Sequence, residues 1–179
     1  MFENMTFLIS PSPLKFILSC FVILLFSMTS ASAQQAPQRS SERFGNWAAH
    51  CTVNEPLSCY ILHNVTLGDN PKPVLTMAVG RPDNNTVGIT TLILTLPLGI
   101  RLPEGFSLEV GPQLKRQYPF VRCLNTGCQA EIQFDSELLQ LFKSQNEGRV
   151  IFFDGVKKPI AIPFSLKGFT KAYGRVTNP

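Results

Sequence analysis

The sequence predicts a mainly β fold: an antiparallel β-sandwich with one helix docked on or beside a sheet. Three observations carry this. Short runs of alternating apolar and polar residues recur, as in Cys128, Ala130, Ile132 and Phe134 set against Gln129, Glu131 and Gln133. Clusters of Gly, Pro, Asn and Asp separate these runs. Only Ser136 to Gln145 has convincing helical spacing, with Leu138, Leu139, Leu141 and Phe142 forming a stripe that must dock on a sheet.

The chain opens on an address. Phe16 to Met28 is a mostly apolar run of 13 residues after Lys15, and Ala31-Ser32-Ala33 fits the small-x-small rule of signal peptidase. This predicts a secretory signal peptide over residues 1–33; an uncleaved N-terminal anchor is the alternative. Thirteen residues are too few to cross a ~30 Å hydrocarbon core, which needs roughly 20. Cleavage leaves 146 of the 179 residues, a size that buries its own core. Residues 34–42 are polar and read as a disordered lead-in. Residues 43–175 read as a single β domain.

Phe44 to Cys51 is the first expected strand, with Trp47, Ala49 and Cys51 on one face and Asn46, Ala48 and His50 on the other. Leu57 to Leu67 alternates as the second and puts His63 on its apolar face. His63 is therefore either a core histidine or the polar contact of a pocket. Val74 to Gly80 is the third strand. Thr86 to Leu96 is the fourth, and its pattern changes near Leu92, which suggests a strand buried on both faces or a bulge. Leu102-Pro103-Glu104-Gly105 is a turn, and Phe106, Leu108 and Val110 then share one face.

Lys115 to Cys123 follows as a strand. If Cys123 faces Cys128, Val121 turns inward with it, and Tyr118, Phe120 and Arg122 point outward beside Lys115 and Arg116. These five residues are the candidate partner-binding surface. Asp135 or Ser136 caps the helix, and Glu137 suits its first turn. Gly148 to Asp154 is a central strand. Pro159 to Leu166 closes the sheet as an edge strand, because Pro159 and Pro163 lose their donors on the same side. Ser165 to Tyr173 reads as a short closing helical turn.

Removal of the signal peptide leaves four cysteines, Cys51, Cys59, Cys123 and Cys128, and an even count in an exported chain implies disulfides. Three pairings are possible; the hairpins around each pair favour Cys51–Cys59 and Cys123–Cys128. Zinc on His50, Cys51, Cys59 and His63 is the rival, but that spacing matches no standard finger. Neither pair has the Cys-x-x-Cys spacing of thiol redox catalysis. No metal, cofactor or catalytic residue is assigned. Gly-x-Ser-x-Gly, His-Glu-x-x-His and Walker patterns are absent. Glu104, Glu109, Glu131 and Asp154 lie near strand ends, yet nothing selects a carboxylate pair among them.

Charge is uneven. Residues 34–110 carry five basic and six acidic groups; residues 111–179 carry ten basic and five acidic. A basic half suits an anionic surface. No nucleic-acid-binding motif accompanies it.

Four motifs in order resemble the invasion-associated locus B family of bacterial exported proteins. They are Phe44-Gly45-Asn46-Trp47 with Cys51 and Cys59; Leu96-Pro97-Leu98-Gly99-Ile100 with Leu102-Pro103-Glu104-Gly105; Cys123 with Gly127-Cys128-Gln129-Ala130; and Ser165-Leu166-Lys167-Gly168-Phe169 with Ala172. The resemblance covers about residues 43–173. Asn46 stands where that family usually has Asp, and His63 where Gln is common. The resemblance implies a periplasmic or envelope-associated protein and a family name taken from host-cell invasion; the expected location is periplasmic or outer-membrane-associated, with secretion as the alternative. It brings no catalytic residues. The expected function is non-enzymatic binding of a protein or anionic surface of the host or bacterial envelope. The alternative is a periplasmic carrier or assembly helper with an apolar ligand between its sheets and His63 as polar contact.

Overall fold

The computed structural model describes residues 39–53, 57–81 and 88–178. The expected signal peptide, and residues 34–38 of the expected lead-in, lie outside the described residues. In chain order the elements are β1 (Arg39–Phe44), β2 (Trp47–Thr52), β3 (Cys59–Val65), β4 (Leu75–Gly80), β5 (Thr91–Leu96), β6 (Phe106–Val110), β7 (Leu114–Tyr118), β8 (Arg122–Leu124), β9 (Gly127–Gln133), α1 (Ser136–Ser144), β10 (Glu147–Phe153), β11 (Pro159–Ser165) and α2 (Phe169–Thr177).

Two antiparallel sheets result. The larger runs β1-β2-β3-β4-β5-β9-β8 and the smaller β11-β10-β6-β7. Alternation does most of the work. Ala49, Ile61, Val79, Leu92 and Ile132 are aligned across five strands of the large sheet and all face inward. The small sheet answers with Phe106, Leu108, Val110, Val150, Phe152, Ile162 and Phe164. Fully buried Trp47, Phe142 and Phe169 fill the space between them and the helices.

Several expectations need correction. Residues 39–42 are not a disordered lead-in but the body of β1, paired with β2 from Arg39↔Thr52 to Phe44↔Trp47. Polar side chains did not prevent this, because an edge strand is held by its backbone and both faces of its end are wet. Strand β5 starts only at Thr91 and alternates cleanly, with Leu92, Leu94 and Leu96 buried. The change of pattern near Leu92 therefore marks a strand start, not a bulge. Tyr118 to Arg122 is not one strand either. Pro119 ends β7, the chain crosses to the other sheet, and β8 begins at Arg122.

Among the described residues there are two helices where one was expected. Asp135 caps α1, its carboxylate accepting the Leu138 amide at 2.8 Å. Ser165 to Tyr173 is more than a turn: α2 buries Phe169, Ala172, Tyr173 and Val176 and packs across β1 to β4. Strand β11 is an edge as its prolines required.

Candidate functional site

The first and last sequence motifs meet. The β1–β2 turn at Gly45 lies against the Lys167–Gly168 backbone, and the Asn46 amide donates to the Lys167 carbonyl at 3.2 Å. The Trp47 indole donates to the Ser165 carbonyl at 3.1 Å, and the Ser165 amide donates to His63 Nε2 at 3.4 Å. Ser165 has the parity of Pro159 and Pro163, so its amide and carbonyl both look out from the free edge of β11. Trp47 and His63 satisfy this pair of edge groups and tie the two sheets together.

His63 is thus a seam residue. It is buried, its ring lies 5.3 Å from that of Trp47, and it lines an open recess of about 550 Å³ together with Asn46, Asn64, Asn146 and Lys167. The carrier alternative needs an apolar chamber between the sheets, where Trp47, Phe106, Phe142 and Phe169 are packed instead. Burial pushes the His63 pKa below its ordinary 6.5, with the Asn46 backbone opposing. The unfolded chain then takes up a proton that the folded chain resists. Stability should fall as pH drops below about 6.5, levelling once the lowered folded value is passed. His63→Gln should flatten this slope in denaturant titrations between about pH 5 and 7; an unchanged slope would assign it to other groups.

The cysteines pair locally. Cys51–Cys59 joins β2 to β3, and Cys123–Cys128 joins β8 to β9, each at an aligned position of adjacent strands. Both sulfurs that the zinc alternative required, on Cys51 and Cys59, are therefore covalently occupied. His50 stacks on Tyr60 on the opposite face, with ring centroids 5.3 Å apart.

The expected partner-binding surface is not assembled. Lys115 pairs with Glu109 at 3.1 Å, and Glu109 also holds Arg149 from the next strand. Those cations, Arg149 foremost, keep the Glu109 carboxyl below its usual range. Arg116 clamps Asp135 and Glu137 at the start of α1. Tyr118 and Phe120 turn inward onto Phe106, at 5.8 and 5.4 Å between ring centroids. Val121, expected inside, is 58% exposed. The strand phase assumed from Cys123 does not carry back through the crossing at Pro119. Arg122 lies on the other sheet, paired with Glu131 at 3.3 Å and donating to Gln129.

Arg116 consequently has a structural role. It fastens the N-terminus of α1 to the edge strand β7. The Leu138 amide and then Arg116 hold the Asp135 pKa below its ordinary 3.8. A depressed carboxylate stabilises the fold above the unfolded value, and that contribution is lost as pH falls through the folded value. Arg116→Gln should lower the melting temperature by a few degrees at pH 7. The gap from the parent should close below about pH 4. A gap that persists in acid would point to packing of the guanidinium instead.

The outer face of the large sheet is the surface these corrections leave. Registers place Ala48, Leu62, Ala78, Ile93 and Glu131 in one row and His50, Tyr60, Gly80, Thr91 and Gln133 in the next. Strand β4 contributes only Ala78 and Gly80 here, between larger neighbours on β3 and β5. A trough of about 770 Å³ follows, walled at its far side by Val121 and Arg122. Its floor is apolar and its rim carries Arg81, Glu131 and Gln133. Nothing in the alternation of β4 alone announces this trough; the signal was two small residues at outward positions of an inner strand.

The four carboxylates considered for acid–base chemistry are all engaged. Glu104 pairs with Arg101 at 2.8 Å, and Glu109 and Glu131 are paired as above. Asp154 Oδ1 accepts the Val156 and Lys158 amides of its own turn.

The chain resembles known proteins in sequence and in fold. The chain is similar to invasion protein B homologs of Brucella abortus strain 2308 and of biovar 1 strain 9-941. Each is 27% identical over 161 residues, covering 87% of this chain and 91% of the relative. The crystal structure of invasion associated protein B from Bartonella henselae matches the fold with a TM-score of 0.67 at 21% identity, covering 76% of this chain and 95% of that one. The sequence model of the invasion associated locus B (IalB) proteins matches residues 47–177. The matched segment runs from Trp47 through α2 and holds both disulfides and every strand but β1, and this chain belongs to the IalB family.

Proposed function

We propose that this protein is an exported, non-enzymatic binding module of the bacterial envelope or cell surface that takes a protein partner on the outer face of its large sheet. The observation that carries this is the trough over Ala78 and Gly80, an apolar floor with a polar and charged rim, the make-up of a protein contact surface. Membership of an invasion-associated family supports the cell-surface setting. The engagement of the candidate carboxylates and the pairing of the four cysteines support binding over catalysis. Tyr60, backed by His50, supplies an aromatic anchor of the kind that dominates contact energies.

A photo-crosslinking residue at Ala78, on the trough floor, and another at exposed Ala161, on the outer face of the small sheet, test the reading in intact cells and with envelope or host-membrane fractions. A discrete adduct from position 78 alone, weakened by Tyr60→Ala, is expected. The same adducts from both positions, or none from position 78, would sink it.

A further inference from the structure

Most of the charge near the expected binding surface is neutralised by neighbouring carboxylates. Four of the cations left over converge elsewhere. Arg43, Lys143, Lys167 and Lys171 line one open recess of about 560 Å³ with Phe44, Gly45, Leu166, Gly168 and Thr170. No carboxylate is among the lining residues. Among the described residues none of these four cations has a carboxylate within salt-bridge distance, whereas Arg101, Lys115, Arg116, Arg122, Arg149 and Arg175 all do. Glu42, beside Arg43 in sequence, lies on the opposite strand face and reaches Arg175 at 3.6 Å.

The recess is built by the interlocking first and last motifs, so its position is fixed. Thr170 Oγ1 donates to the Lys143 carbonyl at 3.2 Å, which ties the first turn of α2 to the last turn of α1. Lys143 Nζ lies 4.9 Å above the Tyr173 ring. All four cationic residues are exposed. Long cations without carboxylate partners around an open rim suit an extended anionic surface better than a small solute, which needs enclosure.

We propose that this face docks on an anionic lipid surface, with Arg43, Lys143, Lys167 and Lys171 taking the phosphates of lipid headgroups. It is separate from the trough on the large sheet and does not depend on that reading. Net charge alone predicts binding through any lysine; this site predicts binding through these. Lys157 and Lys158 supply the control. They sit in the β10–β11 turn, at the far end of the hairpin from Lys167, roughly 20 Å along the strands.

Flotation with vesicles of phosphatidylcholine alone, or with about a third phosphatidylglycerol, tests it on the mature chain across a salt series. Binding only to the anionic vesicles is expected, weakening as salt rises. K167E/K171E should weaken it by roughly fivefold or more for each cation changed. K157E/K158E should leave it near the parent value. Both pairs are exposed, and melting curves check that the fold survives. Equal losses from the two double variants would reduce the effect to net charge and overturn the site. So would absent vesicle binding, or binding of glycerol phosphate in solution without binding of vesicles.

Discussion

Trp47→Ala is expected to cost about 3–5 kcal/mol of folding free energy, the range for emptying a large aromatic site in a core. The indole is fully buried, stands edge-on to Phe169 at 5.1 Å, and reaches the Ser165 carbonyl. Its loss opens a void between the layers. It also leaves an acceptor on the free edge of β11 without its donor, and it strips His63 of its ring neighbour. Trp47→Phe separates the two effects. That variant keeps an aromatic body near Phe169 but leaves Ser165 unsatisfied, so a smaller loss of about 1–3 kcal/mol is expected. Urea titrations followed by far-ultraviolet circular dichroism check both. Trp47 is the only tryptophan of the chain, so fluorescence cannot follow its own replacement. A loss below about 1 kcal/mol for Trp47→Ala would mean that α2, not the indole, holds the sheets together.

Gly168→Ala is the second. A β-carbon there would stand 1.9 Å from the Phe44 carbonyl oxygen, and the residue has φ +93°. The left-handed backbone costs a non-glycine residue about 1–2 kcal/mol, and pushing two backbones apart costs about 1–3 kcal/mol more. A destabilisation of roughly 3 kcal/mol or greater is expected, with the loss centred on the contact between the β1–β2 turn and α2. Gly174, six residues on and inside α2, is the contrast. Nothing lies within 4 Å of a β-carbon there and its backbone is ordinary helix. Gly174→Ala should therefore stabilise by about 0.5–1 kcal/mol. If the two substitutions had similar effects on the melting temperature, the close approach at Gly168 would be without energetic weight.

These residues show what could be read from the chain and what could not. Apart from β7 and β8, the strands from Trp47 to Phe164 were legible from local apolar patterning, and the edge character of β11 followed from two prolines. Both disulfides lie where the hairpins favoured them. The second helix was legible in principle: Phe169, Ala172, Tyr173 and Val176 have the i, i+3, i+4, i+7 spacing of a buried helical face. Gly174 and the β-branched Thr170, Val176 and Thr177 obscured it. The expected binding surface failed for a different reason. Whether Lys115, Arg116 and Arg122 are free depends on Glu109, Asp135, Glu137 and Glu131, partners brought in by sheet pairing and helix docking. The outward phase given to Tyr118 and Phe120 rested on one unbroken strand, and Pro119 breaks it. The trough and the cationic recess are products of assembly as well. Each gathers residues from several elements that no local pattern links.

The interlock of the first and last motifs also orders events in time. Trp47 and Ser165 are 118 residues apart in sequence. A protein is made from its N-terminus, so β1 and β2 exist long before the segment that receives them. The two disulfide hairpins close over short spans of chain, but this contact must wait for almost the whole polypeptide, and distant closures of this kind are slow to form. Until Phe169 has emerged, the large sheet has no lid over Trp47 and the nascent chain has no finished interior. Under the export proposed above, that delay keeps the chain loose enough to be threaded through a membrane until its last segment arrives.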